Sequence, residues 1–346
     1  MTQITETPRG TARSEGRADH DARVYDDITG LLPSEQNPSP LVRINRLNPA
    51  PNFTLFAKLE WMNPFGSVKD RAASNIIRTL EEAGELRSAE GEDEGRGIVE
   101  PTSGNTGLSM AAIASARGYP SRFVVPNKVP LEKKVLLKIA GAELDVLNDE
   151  LCPSLGMGDG SINLAKSHAK ASKHRYTMPN QYENPANYEA HVRTTGPEIW
   201  NQTDGGVTHV FTSLGTCGTV TGLAKYLKER KPGVKVIAIQ PSEGHDVPGL
   251  RNTSQLDISK LYDPELIDEV LEVDFKKAYT TALELSQREG LLAGPSSGLI
   301  FEGAREILLR DPDQPGVGVA IFCDNVFKYV SSMIKHIPEL SEGTSA

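Results

Sequence analysis

The chain has 346 residues, enough for one large or two ordinary domains, each with its own core. Its net charge of -9 argues against nucleic acid or an anionic membrane as the main partner. No run reaches the roughly 18 apolar residues of a membrane span, and the N-terminus lacks the apolar stretch of a secretory signal, so we expect a cytoplasmic protein.

The three cysteines, Cys152, Cys217 and Cys323, stand at wide spacing without a pattern. This usage is typical of a reducing compartment and predicts no disulfide framework. The seven histidines also lack the spacing of metal ligands. We therefore expect no structural metal.

Residues 1–24 are mostly polar and predict a mobile N-terminal tail, while 337–346 predict a frayed C-terminus. Between them, short apolar runs alternate with amphipathic stretches that end in glycine. Repeated strand-helix-strand units of this kind predict an α/β fold with mostly parallel sheets flanked by helices. The clearest predicted strands are 97–101, 121–126, 142–147, 209–214, 234–240 and 317–323.

The stretch "NPFGSVKDR" (63–71) places a lysine just after a Gly-Ser turn. Ser67 and Asp70 have the spacing of a capping box, which puts Lys69 in the first turn of a helix. That position favours carboxylates, because the helix dipole is positive there. Lys69 is therefore a candidate nucleophile, although a solvated lysine remains the alternative from this stretch alone.

A second stretch, "PTSGNTG" (101–107), lies between a predicted strand and a predicted helix. The amides of such a turn bind anions, and a carboxylate would fit well. An ordinary capped turn is the alternative, but this turn has more hydrogen-bonding side chains than one cap requires. They are Thr102, Ser103, Asn105 and Thr106.

A third stretch, "SLGTCGTVTG" (213–222), also joins a strand to a helix and could bind a phosphate. A dinucleotide site is less consistent with it, because the glycine spacing differs and the following strand ends in Gln240 and Pro241. No Gly-Lys-Ser/Thr follows, which excludes a P-loop. In a fourth stretch (291–304), Ser296 alone indicates only a helix cap.

Together these four stretches resemble the cysteine synthase and cystathionine β-synthase family of fold-type II pyridoxal-phosphate enzymes. The likeness runs from about residue 40 to 333 and includes "QYENPANYEAHVRTTGPEIW" (181–200). It implies two domains with the cofactor cleft between them. We expect a large domain of 25–59 plus 180–336, and a small mobile domain of 60–179.

The resemblance also implies a role for individual residues. Lys69 would hold pyridoxal 5'-phosphate as a Schiff base, and Ser296 would meet the pyridine nitrogen. Asn105 would reach the phenolic oxygen of the cofactor. The cofactor phosphate would bind to Gly215, Thr216, Cys217, Gly218 and Thr219, and the substrate carboxylate to Thr102, Ser103, Thr106 and Gln181.

The family chemistry is β-replacement: the ring is an electron sink, and Lys69 removes the α-proton as general base. A neutral Ser296 at the ring nitrogen suits elimination better than transamination. Loss of the β-leaving group yields an aminoacrylate, to which a nucleophile adds.

The sequence departs from the family pattern in three places. Cys217 replaces a glycine, which is tolerable if its φ is below zero. The segment 148–161 predicts extra loop beside the cleft. Arg251 lies in an "LRN" stretch where phosphoserine-using members have a phosphate-binding arginine. A surface arginine is the alternative.

We therefore predict a β-replacing enzyme that joins O-phosphoserine or O-acetylserine, the former slightly favoured, to sulfide or another small sulfur nucleophile such as thiosulfate. The alternatives are a cystathionine β-synthase, a diaminopropionate-pathway synthase and a catalytically silent cofactor-bound partner protein. The expected partners are a small amino acid and the sulfur nucleophile, with no nucleic acid and no membrane. The resemblance also implies a homodimer.

Overall fold

The computed structural model of the chain describes residues 24–89, 95–102, 104–127, 129–147 and 160–343. The tail predicted for residues 1–24 lies outside these ranges except for Val24, and so does most of the loop predicted for 148–161. Within the described ranges, no helix is both long enough and apolar enough to cross a membrane.

Ten strands and ten α-helices occur in these ranges. The strands are Leu41–Arg43 (β1), Phe53–Leu59 (β2), Gly97–Pro101 (β3), Ser121–Pro126 (β4), Glu143–Leu147 (β5), Tyr176–Thr177 (β6), His209–Ser213 (β7), Lys235–Pro241 (β8), Glu269–Val273 (β9) and Gly316–Phe322 (β10). The helices are Lys69–Glu82 (α1), Asn105–Ala116 (α2), Leu131–Ile139 (α3), Gly160–Ala171 (α4), Ala186–Arg193 (α5), Thr195–Gln202 (α6), Gly218–Arg230 (α7), Phe275–Glu289 (α8), Pro295–Leu308 (α9) and Val330–His336 (α10).

The larger sheet has six strands in the order β1-β2-β10-β7-β8-β9. Only the β1–β2 pair is antiparallel; the other neighbours run parallel. Ala320 of β10 faces Ala57 of β2 on one side and Phe211 of β7 on the other. These three residues are fully buried, as expected for central strands covered by helices on both faces.

The smaller sheet has four parallel strands in the order β5-β4-β3-β6. Helix α1 packs against it through Ala73, Ile76 and Ile77, which are fully buried with Ile98 and Phe123 of the sheet. Each predicted strand coincides with one of the observed strands to within one residue at either end. The α/β fold with two mostly parallel sheets is confirmed.

A network of buried charges joins α1 to the larger sheet. Arg71 donates to Glu60 and to Glu198, each at 2.6 Å, and Lys58 of β2 donates to Glu198 at 2.6 Å. These side chains are at most 4% exposed. Burial opposes ionisation of Glu60, but Arg71 outweighs it and lowers the pKa of Glu60 to about 2. The start of α1 is thus bound to the larger sheet.

Candidate active site

One cleft collects the predicted site residues. It lies where β3 of the smaller sheet and β7 and β10 of the larger sheet end, as expected for ligand sites of parallel sheets. Gly218 begins α7 beside it. Ser103 lies outside the described residues. The other predicted residues line the cleft: Lys69, Thr102, Asn105, Thr106, Gln181, Gly215, Thr216, Cys217, Thr219, Arg251 and Ser296.

Lys69 is the first residue of α1 and is half-buried at the cleft wall. The predicted capping box forms differently, because Val68 is the N-cap and Ser67 Oγ accepts from the backbone N–H of Lys69 at 3.3 Å. Asp70 instead accepts from Phe65 N at 2.7 Å and from Ser109 Oγ at 2.6 Å. Its buried carboxylate therefore ties the lysine's turn to α2.

The turn before α2 is closed by Thr102. Its Oγ1 accepts from the backbone N–H of Gly104 at 3.2 Å and of Gly107 at 3.0 Å. A Cβ at position 107 would overlap with the Thr102 side chain, so the close approach requires glycine. Thr106 Oγ1 donates to Gln181 Oε1 at 2.7 Å. The turn and Gln181 therefore form one polar surface of the cleft.

Asn105 is held by residues at the end of β10. Its amide nitrogen donates to Asp324 Oδ2 at 2.6 Å, and its Oδ1 accepts from Lys328 Nζ at 3.3 Å. Tyr329 Oη also donates to Asp324 Oδ2, which leaves Asp324 Oδ1 buried without a hydrogen-bond partner among the described residues. These contacts hold both ends of the Asn105 amide.

The predicted phosphate loop runs from Gly215 into the N-terminus of α7. Asn187 Nδ2 donates to Thr216 Oγ1 at 3.0 Å, and His191 Nε2 lies 3.2 Å from Thr219 Oγ1. Burial lowers the pKa of His191 to about 3, so its imidazole is neutral near pH 7. Both threonines are thus oriented from α5, and the loop surrounds the positive end of a helix dipole.

Cys217 differs from the conformation assumed for it. Its φ is +65°, in the left-handed region, so the condition under which the cysteine would be tolerated, a φ below zero, is not met. The side chain is buried against the core around α7, and burial raises the pKa of the thiol to about 12. The thiol is therefore protonated and serves in packing, and the loop keeps the glycine-like backbone despite the cysteine.

This conformation predicts an unusual stability order. Cys217→Gly should be more stable than Cys217→Ala by about 1 kcal/mol, because alanine keeps the left-handed strain while glycine relieves it. Urea unfolding of the two variants measures the difference. An alanine variant of equal or greater stability would contradict the strain at this position.

Ser296 lies in the first turn of α9 and is buried. It lies beside Cys323, which also lines the cleft. Burial raises the pKa of the Cys323 thiol to about 11, so no thiolate lies beside Ser296 at neutral pH. The serine hydroxyl therefore meets the cleft in a neutral setting.

These groups fit pyridoxal phosphate. None of the residues that the structure describes makes a hydrogen bond or an ion pair with the Lys69 amine, so it is free to hold an aldehyde carbon. The loop at 215–219 offers amides and hydroxyls for a phosphate, and Ser296 offers a neutral hydroxyl. Each chemical part of the cofactor has a matching group in one cleft.

One residue that lines the cleft and two that lie behind its phosphate loop were not predicted from the sequence. Asn187 and His191 lie within the stretch 181–200 that carries the resemblance, which is the only signal that pointed to them. Lys133 lines the cleft with its Nζ 4.4 Å from the centroid of the Tyr329 ring. Nothing in the α3 sequence distinguishes Lys133 from its neighbour Lys134.

Comparisons with known proteins agree with this site. The family model described as pyridoxal-phosphate dependent enzyme matches residues 33–324. Cysteine synthase B of Escherichia coli (strain K12) is 37% identical over 305 residues, which are 88% of this chain and 96% of that protein. Cysteine synthase B of Pseudomonas aeruginosa is 38% identical over 296 residues, covering 85% of this chain and 93% of that protein.

Solved structures show the same likeness. O-acetyl serine sulfhydrylase isoform 3 from Entamoeba histolytica matches with a TM-score of 0.79 and 28% identity, covering 93% of this chain and 95% of that chain. O-ureido-L-serine synthase matches with a TM-score of 0.80 and 28% identity, covering 90% and 96%. The family resemblance and the cofactor predicted from the sequence are confirmed, and the chain belongs to the pyridoxal-phosphate dependent enzymes, as an enzyme of the cysteine synthase type.

Proposed function

We propose that the enzyme makes L-cysteine, or an S-substituted cysteine, from an O-activated L-serine, with O-phosphoserine preferred over O-acetylserine. In the reaction with phosphoserine and hydrogen sulfide anion, the Cβ–O bond breaks and phosphate leaves with the electron pair. The Cβ–S bond then forms, and L-cysteine and phosphate are the products. Thiosulfate would give the S-sulfo derivative by the same exchange.

The chain's own residues divide this work. Thr102, Thr106 and Gln181 bind the carboxylate of the donor, together with the amides of their turn. Lys69 takes the proton from the α-carbon and returns it there after the sulfur has added. Pyridoxal phosphate, when bound, supplies the electron sink for this proton transfer. Asn105 and Ser296 would hold the cofactor ring by hydrogen bonds.

Arg251 is the observation that supports phosphoserine. The side chain is buried, with 7% exposure, and it lines the same cleft as Lys69. Its backbone N–H donates to Leu214 O at 2.9 Å, beside the phosphate loop, and its guanidinium lies 3.5 Å from Tyr182 Oη. A guanidinium at this place suits paired hydrogen bonds to a phosphate dianion, which an acetyl group does not need.

The test is Arg251→Ala with both donors. We expect kcat/KM with O-phosphoserine to fall about 100-fold and that with O-acetylserine to change less than about threefold, because only the phosphate loses a charge-assisted contact. Steady-state kinetics with sulfide measures both. Arg117→Ala is the control, since Arg117 pairs with Glu81 away from the cleft. Equal losses with both donors would refute the phosphate role.

We further propose that the enzyme is a homodimer and is located in the cytoplasm, as expected from the sequence. We also propose the domain boundaries expected from the sequence. The part near residues 60–179 would close on the donor carboxylate and so exclude water from the reaction.

A further inference from the structure

Glu100 is a buried carboxylate that the reaction does not use. It lies in β3, directly before the turn that begins at Pro101, and its side chain is fully buried. Among the described residues, no lysine or arginine forms an ion pair with it. Burial raises the pKa of Glu100 to about 7, against the opposing effect of hydrogen bonds from Gln181 and Asn180. Burying a carboxylate without an ion-pair partner costs free energy. The contacts of Glu100 indicate which role offsets that cost.

Both carboxylate oxygens of Glu100 hold the backbone at the start of the segment that leads to α5. Oε2 accepts from Asn180 N at 2.8 Å, and Oε1 accepts from Gln181 N at 2.9 Å. Asn180 has a φ of +54°, in the left-handed region that non-glycine residues adopt at a cost. The two hydrogen bonds to the carboxyl oxygens compensate for that conformation.

The consequence is the orientation of Gln181. Its Nε2 donates to Pro101 O at 3.1 Å, and its Oε1 accepts from Thr106 Oγ1 at 2.7 Å. Its carbonyl accepts from Asn187 Nδ2, which also donates to Thr216 of the phosphate loop. Gln181 lines the cleft and is held there at both its backbone and its side chain. Glu100 accepts the hydrogen bond from the backbone N–H of Gln181.

We propose that Glu100 is a positioning residue for the donor-carboxylate subsite and acts through Gln181. The inference rests on the proposed function in that Gln181 and the turn bind the carboxylate of an amino acid. It does not depend on which group activates the donor.

The test compares two ligands that differ only in the carboxylate: L-serine and L-serinamide. Binding of each to the holoenzyme is followed by the change in cofactor absorption, without turnover. For Glu100→Gln we expect the preference for serine over serinamide to fall about tenfold, because the amide cannot accept from both backbone N–H groups and Gln181 loses its orientation. In a Gln181→Ala background, the same substitution should leave the preference unchanged.

Glu302→Gln is the matched control. It also removes a buried carboxylate, one paired with Lys277 and Arg305 away from the cleft, and should leave the ligand preference unaltered. If Glu100→Gln does not fold, Glu100→Asp keeps the charge but withdraws it by one methylene, and should lower the preference by a smaller factor. An unchanged preference in a folded variant, or equal weakening of both ligands, would overturn the proposal.

Neither ligand carries a phosphate or an acetyl group. Failure of the phosphoserine assignment would appear in the Arg251 experiment and leave the serine preference intact. Failure of the positioning role would appear in the ligand preference and leave the donor kinetics of Arg251→Ala as expected.

Discussion

Replacing Lys69 by alanine is expected to lower turnover by about 10⁴-fold or more while the protein stays folded. The amine is both the group that would hold the cofactor and the base proposed to take the α-proton, so the variant loses covalent attachment and proton transfer together. Reduction of the holoenzyme with borohydride, followed by peptide mass spectrometry, should place the cofactor on Lys69 in the natural protein. The alanine variant should carry no covalent label.

Lys134→Ala is the control for this experiment. Lys134 lies on α3, donates to Asn127 O at 2.7 Å and does not line the cleft. It should keep full turnover and full labelling. Substantial turnover in Lys69→Ala, or a label on another lysine of the natural protein, would contradict the assigned role.

Replacing Arg71 by methionine is expected to lower the free energy of unfolding by about 3–5 kcal/mol. The substitution leaves Glu60 and Glu198 buried with only Lys58 as a cationic partner, and removing one member of a buried charge network costs this much. Urea unfolding followed by far-UV circular dichroism measures it. Most of any loss of activity should come from molecules that have unfolded, since Arg71 does not line the cleft.

Arg78→Met on the same helix is the matched control. Arg78 pairs with Glu82 at the surface, where the side chains are 37% and 61% exposed, and should change the stability by less than about 1 kcal/mol. The pH dependence has a definite sign: the pKa of Glu60 is lowered to about 2 in the folded state, so its stabilisation is complete above 4.5 and is lost as the pH falls towards 2. A stability for Arg71→Met that matched Arg78→Met would contradict the network's role.

The fold could be predicted where a strand is a continuous apolar run. Strands β8 and β10 contain such runs, as do β3 and β4 apart from Glu100 and the first two residues of β4. A glycine lies within two residues of the ends of α2, α3 and α8. Strand β2 was missed because Lys58 interrupts its apolar pattern. Lys58 is nonetheless buried, because its amine donates a hydrogen bond to Glu198, which lies 140 residues later in the chain. A partner so distant in the chain cannot be read from local periodicity.

The site residues that lie in recognisable sequence motifs could be predicted. The stretches around Lys69, Thr102, Gly215 and Ser296 meet in one cleft, because parallel strands bring their carboxyl ends to the same edges. The conformation of Cys217 was not predicted, since residues other than glycine rarely adopt a φ above zero and only the folded loop imposes it here. Glu100 was missed because a lone carboxylate in a strand has no signature until its two backbone donors are located.

The cleft also reverses the sign of the protein's charge. Its described lining includes three cations, Lys69, Lys133 and Arg251, and one carboxylate, Asp324, within a chain of net charge -9. Lys69 would be taken up by the cofactor, so Lys133 and Arg251 supply the positive charge toward the donor. At physiological ionic strength the field of exposed charges decays over roughly 8 Å. The acidic exterior therefore repels an approaching anion only weakly, whereas the cations of the cleft attract it strongly at the mouth. Capture of anionic donors should therefore be local, with an encounter rate that falls as salt rises, whereas the zwitterionic product leaves without such a field to hold it.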